Sequence, residues 1–457
     1  MKTIHNPKDE IAFDKSVAFL KEAKNIAFNS NISNEEALIL QNMKEKYGYK
    51  LVNKEAKKFQ NFLNAFAGVS GKCLYGAKQE TLEGFDFALT LGLSVSTDSQ
   101  KIFKVLENAK NNRGAYIAYM HPLEDSSLEK IADTHIKYEV GSEEGLVAML
   151  ANVLVKTEGK EKYYSFFNEL DEGYICGESS VGEEEFEDLS EKFSQCKKPV
   201  LIVGPDLYNH ARSKNISKIL GMISKYSDIE VLIVSSELNT LGVALICDLD
   251  EKTDGNTVGL RVKGDFSLSC LEESTGTVTL TNKQVVALEN PSSDGYRLSD
   301  IAARLGLEEK SMIDYTAKLP VRSGYKAVAF NDLNAGYTLE DIDAKNGDDT
   351  VEDVDDISEF NGTVVYRCDH PRFNPDTSKS DELEGDLVLL GSKQFATAAK
   401  IKTGTMVRFE MDGKTYQRKF EISEGLKGTI AYNPVFDSTD NYDEYRYKRV
   451  NLEEVNE

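Results

Sequence analysis

Paired cysteines are missing from this chain. Its six cysteines, Cys73, Cys176, Cys196, Cys247, Cys270 and Cys368, are scattered, and no C-x-x-C occurs. Iron–sulfur and zinc sites usually show at least one tight pair, so a cluster held by this chain alone is not expected. The thiols read as reduced, several of them in cores. Basic charge is also scarce. With 54 Lys and Arg against 77 Asp and Glu, the formal net charge is −23. A phosphate backbone or an anionic lipid surface needs a basic face, which argues against nucleic acid and against membrane-surface binding. No apolar run approaches the ~20 residues that a membrane helix needs. Met1–Ile11 is polar and charged, with no apolar signal-peptide core after it, so a cytosolic chain is expected. The H-E-x-x-H, G-x-S-x-G and G-x-x-x-x-G-K-[ST] patterns are absent as well.

What is present is enough for real cores: 457 residues, 40% of them hydrophobic. Residues 1–155 alternate strand-like and helix-like stretches, which predicts an α/β domain with a Rossmann-like parallel sheet covered on both faces. Within it, 33–48 reads as a helix opened by a capping box of Ser33 with Glu36 and closed by Gly48. Residues 156–197 are acid-rich and read as a solvated connecting segment. Residues 198–339 restart the alternation with "KPVLIVG" (198–204), a helix over 210–227 and "IEVLIVSS" (229–236), a second α/β domain. Residues 340–359 read as an acidic linker. Residues 360–436 carry short alternating runs with turn signals, including Asp-Gly in "MDGK", and predict a C-terminal β-barrel-like domain. Residues 437–457 read as an extended tail.

Four places could carry chemistry. Gly204 ends a strand before a helix, but only the first glycine of a dinucleotide fingerprint is there and Pro205 removes one amide donor, so a plain βα turn is the better reading. In "ADTHIKYEVGSEEGLVAMLANVL" (132–154), Gly141 can make the turn and Ser142 can cap a helix whose first turn holds Glu143 and Glu144. There the two acids favour the helix dipole and oppose an incoming diphosphate, which makes structural capping the better explanation. His121 and His135 could meet at the carboxyl ends of neighbouring strands. "DIDAKNGDDTVED" (341–353) is acidic, yet with Gly347 as the sixth position of an EF-hand loop the first would be Ile342, which fails the ligand pattern.

The order of these pieces resembles the molybdopterin oxidoreductase family. The 132–154 stretch resembles that family's Ala-Asp, strand, Pro-Gly-Thr-Asp segment and small-residue helix. "KPVLIVGPDLY" resembles its second Rossmann-like strand, "ESTGTVTLTNKQVVAL" (273–288) its Glu-Gly-Thr-Phe-x-Asn-x-Glu-Gly-Arg segment, and "SDIAARLGL" (299–307) the helix after it. "YRCDHPRFNPDTSKS" (366–380) and "IKTGTMVRF" (401–409) resemble the C-terminal barrel. With "NTLGVALICDLD" (239–250), the chain resembles the molybdopterin oxidoreductase-like component of bacterial NADH–quinone oxidoreductase, respiratory complex I.

The departures matter too. The cysteine-rich ferredoxin-like part usual in that component is not expected here. Met120-His121-Pro122 stands for Asp-Pro-Arg, Gly141-Ser142-Glu143 for Gly-Thr-Asp, and Lys283-Gln284-Val285 for Glu-Gly-Arg. No Cys or Ser is identifiable as a molybdenum ligand. The resemblance therefore implies a structural component of the complex I cytosolic arm, at the cytoplasmic face of the inner membrane. It implies no bound cofactor and no catalytic, cofactor-binding or metal residues, with the other peripheral-arm subunits as partners and the enzyme activity residing in the complex. The alternative is a molybdopterin-dependent oxidoreductase, formate dehydrogenase-like, that still binds molybdopterin guanine dinucleotide.

Overall fold

The computed structural model describes residues 9–455 except 126, 252, 269–270, 272–274, 290–294, 308–315, 334, 345–346, 358–362, 369–387, 412, 425, 427 and 435–444. Much of the 366–380 motif lies outside the described residues. The chain forms two units, each assembled from two stretches: 1–84 with 230–350, and 85–229 with 351–457.

In the first unit, Lys50–Val52, Asn25–Phe28, Thr257–Leu260 and Phe266–Ser267 form a parallel sheet in that order. The helix Asn34–Tyr47 follows the Asn25–Phe28 strand. Its capping box is formed as the sequence predicts: Ser33 Oγ accepts from Glu36 N at 3.1 Å, and Glu36 Oε2 accepts from Ser33 N at 2.9 Å. Gly48 closes it at φ +77°, a conformation that a Cβ would strain. Three antiparallel strands, Gly276–Thr279, Gln284–Leu288 and Tyr337–Thr338, make a second sheet.

The second unit holds the parallel strands Thr134–Ile136, Tyr116–Met120, Phe87–Leu91 and Pro199–Val203, neighbours in that order. Phe87–Leu91 and Pro199–Val203 are buried at every position, as a sheet covered on both faces requires. The helices Glu143–Leu154 and Ser213–Tyr226 pack against each other. The same unit carries a curled seven-strand sheet with the order Tyr447–Arg449, Val364–Cys368, Ile430–Pro434, Val388–Gly391, Lys414–Ile422, Met406–Met411, Glu453–Glu454. Its core includes Val365, Leu389, Phe395, Val407, Phe409 and Phe420. The Asp-Gly signal becomes the hairpin that pairs Met411 with Lys414, with Gly413 at φ +73°.

Two acid-rich or terminal stretches differ from their linear reading. Residues 352–357 are tied down by hydrogen bonds, although Glu352, Asp353, Asp355 and Asp356 are exposed. Arg212 donates to Glu352 Oε2 at 2.8 Å and to the Asp353 carbonyl at 3.1 Å, and Asn215 exchanges two bonds of 2.9 Å with the Glu352 backbone. The closing residues are integrated as well, because Tyr447–Arg449 pairs with Val364–Tyr366 and Glu453–Glu454 pairs with Val407–Arg408. Tail composition is polar, but main-chain pairing to a sheet edge needs no apolar side chains.

Candidate functional site at the carboxyl ends of the second unit's parallel strands

In α/β sheets, ligands bind outside the carboxyl ends of the strands. Each strand of the second unit delivers one polar group to this edge. After Phe87–Leu91, Gly92 turns at φ +61° and the short helix Val95–Asp98 presents Asp98. After Tyr116–Met120 comes His121, fully buried, whose Nδ1 accepts from Leu123 N at 3.1 Å. After Pro199–Val203, Gly204 and Pro205 open a helix carrying Asp206, also fully buried. After Thr134–Ile136, Gly141 turns at φ +90° and the helix Glu143–Leu154 begins.

The C-terminal residues Tyr445, Arg446 and Tyr447 fill this edge. The Arg446 guanidinium bonds Asp98 twice, at 2.6 and 3.0 Å, and Asp206 through Nε at 2.7 Å. Tyr445 Oη accepts from Gly141 N at 2.9 Å and donates to Glu143 Oε1 at 2.7 Å. Tyr447 Oη donates to Asp206 Oδ2 at 3.2 Å and lies 3.3 Å from His121 Nε2. Burial alone would raise the Asp206 carboxyl, but the Arg446 charge and the His121 bond outweigh it and hold it below the usual carboxylate range. Glu143 has no such cation. Burial pushes it up to about 8 and Asp206 adds to the rise, against the bond from Tyr445. Burial holds the nearby His210 below its ordinary value.

This geometry answers what Glu143 and Glu144 do. Ser142 does not cap the helix with its side chain; its Oγ donates to the Glu139 carbonyl at 2.6 Å. Glu143 and Glu144 are not solvated dipole partners, since they are 0% and 4% exposed. Glu144 accepts from Arg212 Nε at 3.0 Å, Asn215 Nδ2 at 2.7 Å and Asp355 N at 3.1 Å. It therefore holds the acid-rich 352–357 stretch onto the helix pair. Glu144→Gln keeps one acceptor but loses the charge, and is expected to cost about 1–3 kcal/mol in denaturant unfolding. Faster hydrogen exchange at Asp355 should accompany it. His121 and His135 do meet, with His135 Nε2 3.4 Å from the His121 carbonyl.

The strand-end glycines test whether a phosphate cradle exists here. A Cβ on Gly92 would lie 2.2 Å from Leu207 Cδ1, and one on Gly204 would lie 2.2 Å from the Gly92 carbonyl oxygen. The glycines thus serve close packing between two turns, and Leu207 fills the space that the missing Cβ leaves. Gly204→Ala is expected to destabilise by about 1–3 kcal/mol or more, because backbone cannot yield as a side chain can. Gly177→Ala, where nothing lies within 4 Å, is the matched control and should be neutral or slightly stabilising in the same melt.

The first unit repeats the theme. At the start of the Asn34–Tyr47 helix, Glu35 is fully buried and accepts from Thr277 N, Thr277 Oγ1 and Thr316 Oγ1 at 2.6, 2.8 and 2.7 Å. A Cβ on Gly276 would lie 2.2 Å from its Oε2. Cys247 is buried with its Sγ donating to the Ala37 carbonyl at 3.4 Å, and burial pushes its thiol far up. Among the described residues, no group of three His, Cys, Asp or Glu is placed to hold a metal, and no helix is long and apolar enough to cross a membrane.

No protein-family model matches the chain, and no curated protein matches it in sequence. Among solved structures it is similar to acetylene hydratase from Pelobacter acetylenicus, with a TM-score of 0.67 and 10% identity over 93% of this chain and 81% of that one. The fold, α/β with parallel-strand sheets and a curled seven-strand sheet, is like that of acetylene hydratase. The formyltransferase/hydrolase complex from Methylorubrum extorquens, solved with methylofuran, matches at a TM-score of 0.40 with 11% identity, over 65% of this chain and 95% of that one.

Two expectations are corrected by this. The resemblance to a component of respiratory complex I is overturned by the likeness in fold to acetylene hydratase. The motifs that suggested complex I are strand-end turns and helix starts, which belong to the architecture and not to one branch of it. The expectation of no bound cofactor is overturned too, by the likeness in fold to acetylene hydratase. The helix starts at Glu143 and Asn34 nevertheless do not fit a cofactor's phosphates. Each is filled by the chain's own buried carboxyl group, which occupies the place a phosphate would need.

Proposed function

We propose that this chain is a molybdopterin-dependent enzyme of the oxidoreductase type that takes a pterin dinucleotide. The observation that carries the reading is the fold itself, shared with acetylene hydratase across 93% of the chain. Cofactor phosphates, on this reading, lie away from the Glu143 and Asn34 helix starts.

Cofactor analysis of the purified full chain, produced in a host that makes the cofactor, tests the reading. Acid oxidation should release a fluorescent pterin derivative, and elemental analysis should find molybdenum or tungsten near one per chain. Protein that carries neither, isolated beside a known molybdopterin enzyme loaded in the same cells, would overturn it.

A further inference from the structure

We propose that the cleft between residues 166–175 and 353–356 of the second unit docks another protein, taking from it an arginine side chain carried on an apolar segment. The inference does not rest on the cofactor reading.

The cleft has a volume of about 270 Å³. That is below the ~300–1,000 Å³ of a usual small-molecule pocket, and it suits one long side chain. Its floor is apolar: Phe166 and Ile175 are buried, and Leu170 and Val354 are half-buried. Its rim is acidic. Glu169 and Asp171 come from one wall, Asp353 and Asp356 from the other, and all four are exposed. Among the described residues no cation pairs with any of them. Arg212, which reaches the 352–357 stretch, is engaged by Glu144 and Glu352.

Both walls are set before a partner arrives. Asp171 Oδ1 accepts from Tyr174 N at 2.9 Å and caps the helix Glu172–Ser179. Tyr174 Oη accepts from Ile357 N at 3.1 Å, which ties that helix to the opposite wall. Behind the cleft the two walls meet the helix Glu143–Leu154 at Gly145. A Cβ there would lie 2.9 Å from Ile175 Cγ2 and 3.4 Å from Ile357 Cδ1. A site already in its bound shape loses little freedom on docking.

An apolar slot rimmed by uncompensated carboxylates selects a cation with an apolar stem. Arginine meets this better than lysine. Its guanidinium is weakly hydrated, always charged and able to stack on an aromatic face, and the Tyr174 ring lines the cleft. Its methylenes can cover the floor while the charge stays at the rim. The net charge of −23 draws a basic partner toward the chain. The larger cleft on the curled sheet, of about 620 Å³, is lined by Arg408 and Arg449 together with Glu410 and Glu453, so it selects neither sign.

A fluorescein-labelled peptide of alternating leucine and arginine, titrated against the full chain and followed by anisotropy, tests the proposal. Binding should be measurable at 0.1 M salt and weaken at 1 M, as the Debye length falls from ~10 Å to ~3 Å. Asp353→Asn with Asp356→Asn should weaken it at least tenfold at 0.1 M salt. Neither side chain carries the bonds that fix the wall, so the fold should survive. Glu107→Gln with Glu129→Gln removes two exposed acids elsewhere in the unit and should leave affinity within twofold. Leu170→Ser, which changes no charge, should weaken binding at least threefold. Absence of binding at 0.1 M salt would overturn the proposal. Equal weakening by the two acid pairs, or an unaffected Leu170→Ser protein, would reduce it to unspecific attraction and overturn it as well. Displacement of the peptide by equimolar spermidine would also overturn it, naming a small amine as the occupant.

Discussion

Replacing Arg446 by alanine should lower the unfolding free energy by about 3–5 kcal/mol, because it strands two buried carboxylates without their cation. Asp206 is fully buried and the Asp98 side chain is 10% exposed. Each now faces the same guanidinium, and the bidentate fork on Asp98 leaves Nε free for Asp206. Without it, both acids must take up protons or expel each other. The loss should therefore shrink at low pH. Arg446, together with the His121 bond, holds Asp206 below its ordinary value. As pH falls through that lowered value, the wild type surrenders what the pair contributes, and the two proteins converge. Urea unfolding of both proteins at pH 7 and at pH values below 3.8 checks this. A difference under 1 kcal/mol at pH 7 would mean that the clasp is worth little beside its desolvation.

Glu35→Ala in the first unit should be comparably severe, at about 3–5 kcal/mol, since it leaves three buried donors without an acceptor. Those donors are the Thr277 amide and the hydroxyls of Thr277 and Thr316. The neighbourhood cannot readily repack, because Asn34, Thr279 and Tyr325 are bonded to one another beside it. Glu35→Gln is the discriminating partner. It keeps one acceptor and the shape, so it should recover most of the loss. Burial raises the Glu35 carboxyl above its ordinary 4.5. Ionisation is thus penalised in the folded state, and wild-type stability should fall as pH rises through the raised value, a slope that Glu35→Gln should lack. Thermal melts across pH 4–8 would show it. Parallel curves for the two proteins would place the ionisation elsewhere.

Both predictions concern acids at the open end of a parallel sheet, where the fold offers a place for an anion. The chain supplies carboxyl groups of its own. Glu35 and Glu143 occupy two helix starts, and each has a glycine or tyrosine neighbour that leaves or fills the space around it. This is why a fold of the molybdopterin type can be read from the chain while the phosphate position cannot be copied onto it.

How much of this was legible in the sequence depended on range. The capping box of Ser33 and Glu36, the glycine stop at Gly48 and the Asp-Gly hairpin were legible because their partners lie within a few residues. Their geometry follows from local sterics and hydrogen bonding. The strand 199–203 was legible from its unbroken apolar run. The alternation of strand and helix pointed to the α/β plus β architecture, which the structure bears out. The choice of family branch was not legible, because turn and helix-start motifs describe a fold shared by many proteins.

The tertiary structure alone decided what Glu143 does. Two glutamates opening a helix read the same whether water or protein surrounds them. Here a tyrosine 302 positions away bonds Glu143, and an arginine 348 positions from Asp98 seals the same edge. Nothing in the local sequence of 141–147 or of 445–447 announces that pairing. It arises because the curled sheet and the parallel strands belong to one unit built from two separated stretches. Local sequence set which residues start each helix and end each strand. The closure of the chain over hundreds of residues set which of their charges are buried, which are answered, and which one is left to take up a proton.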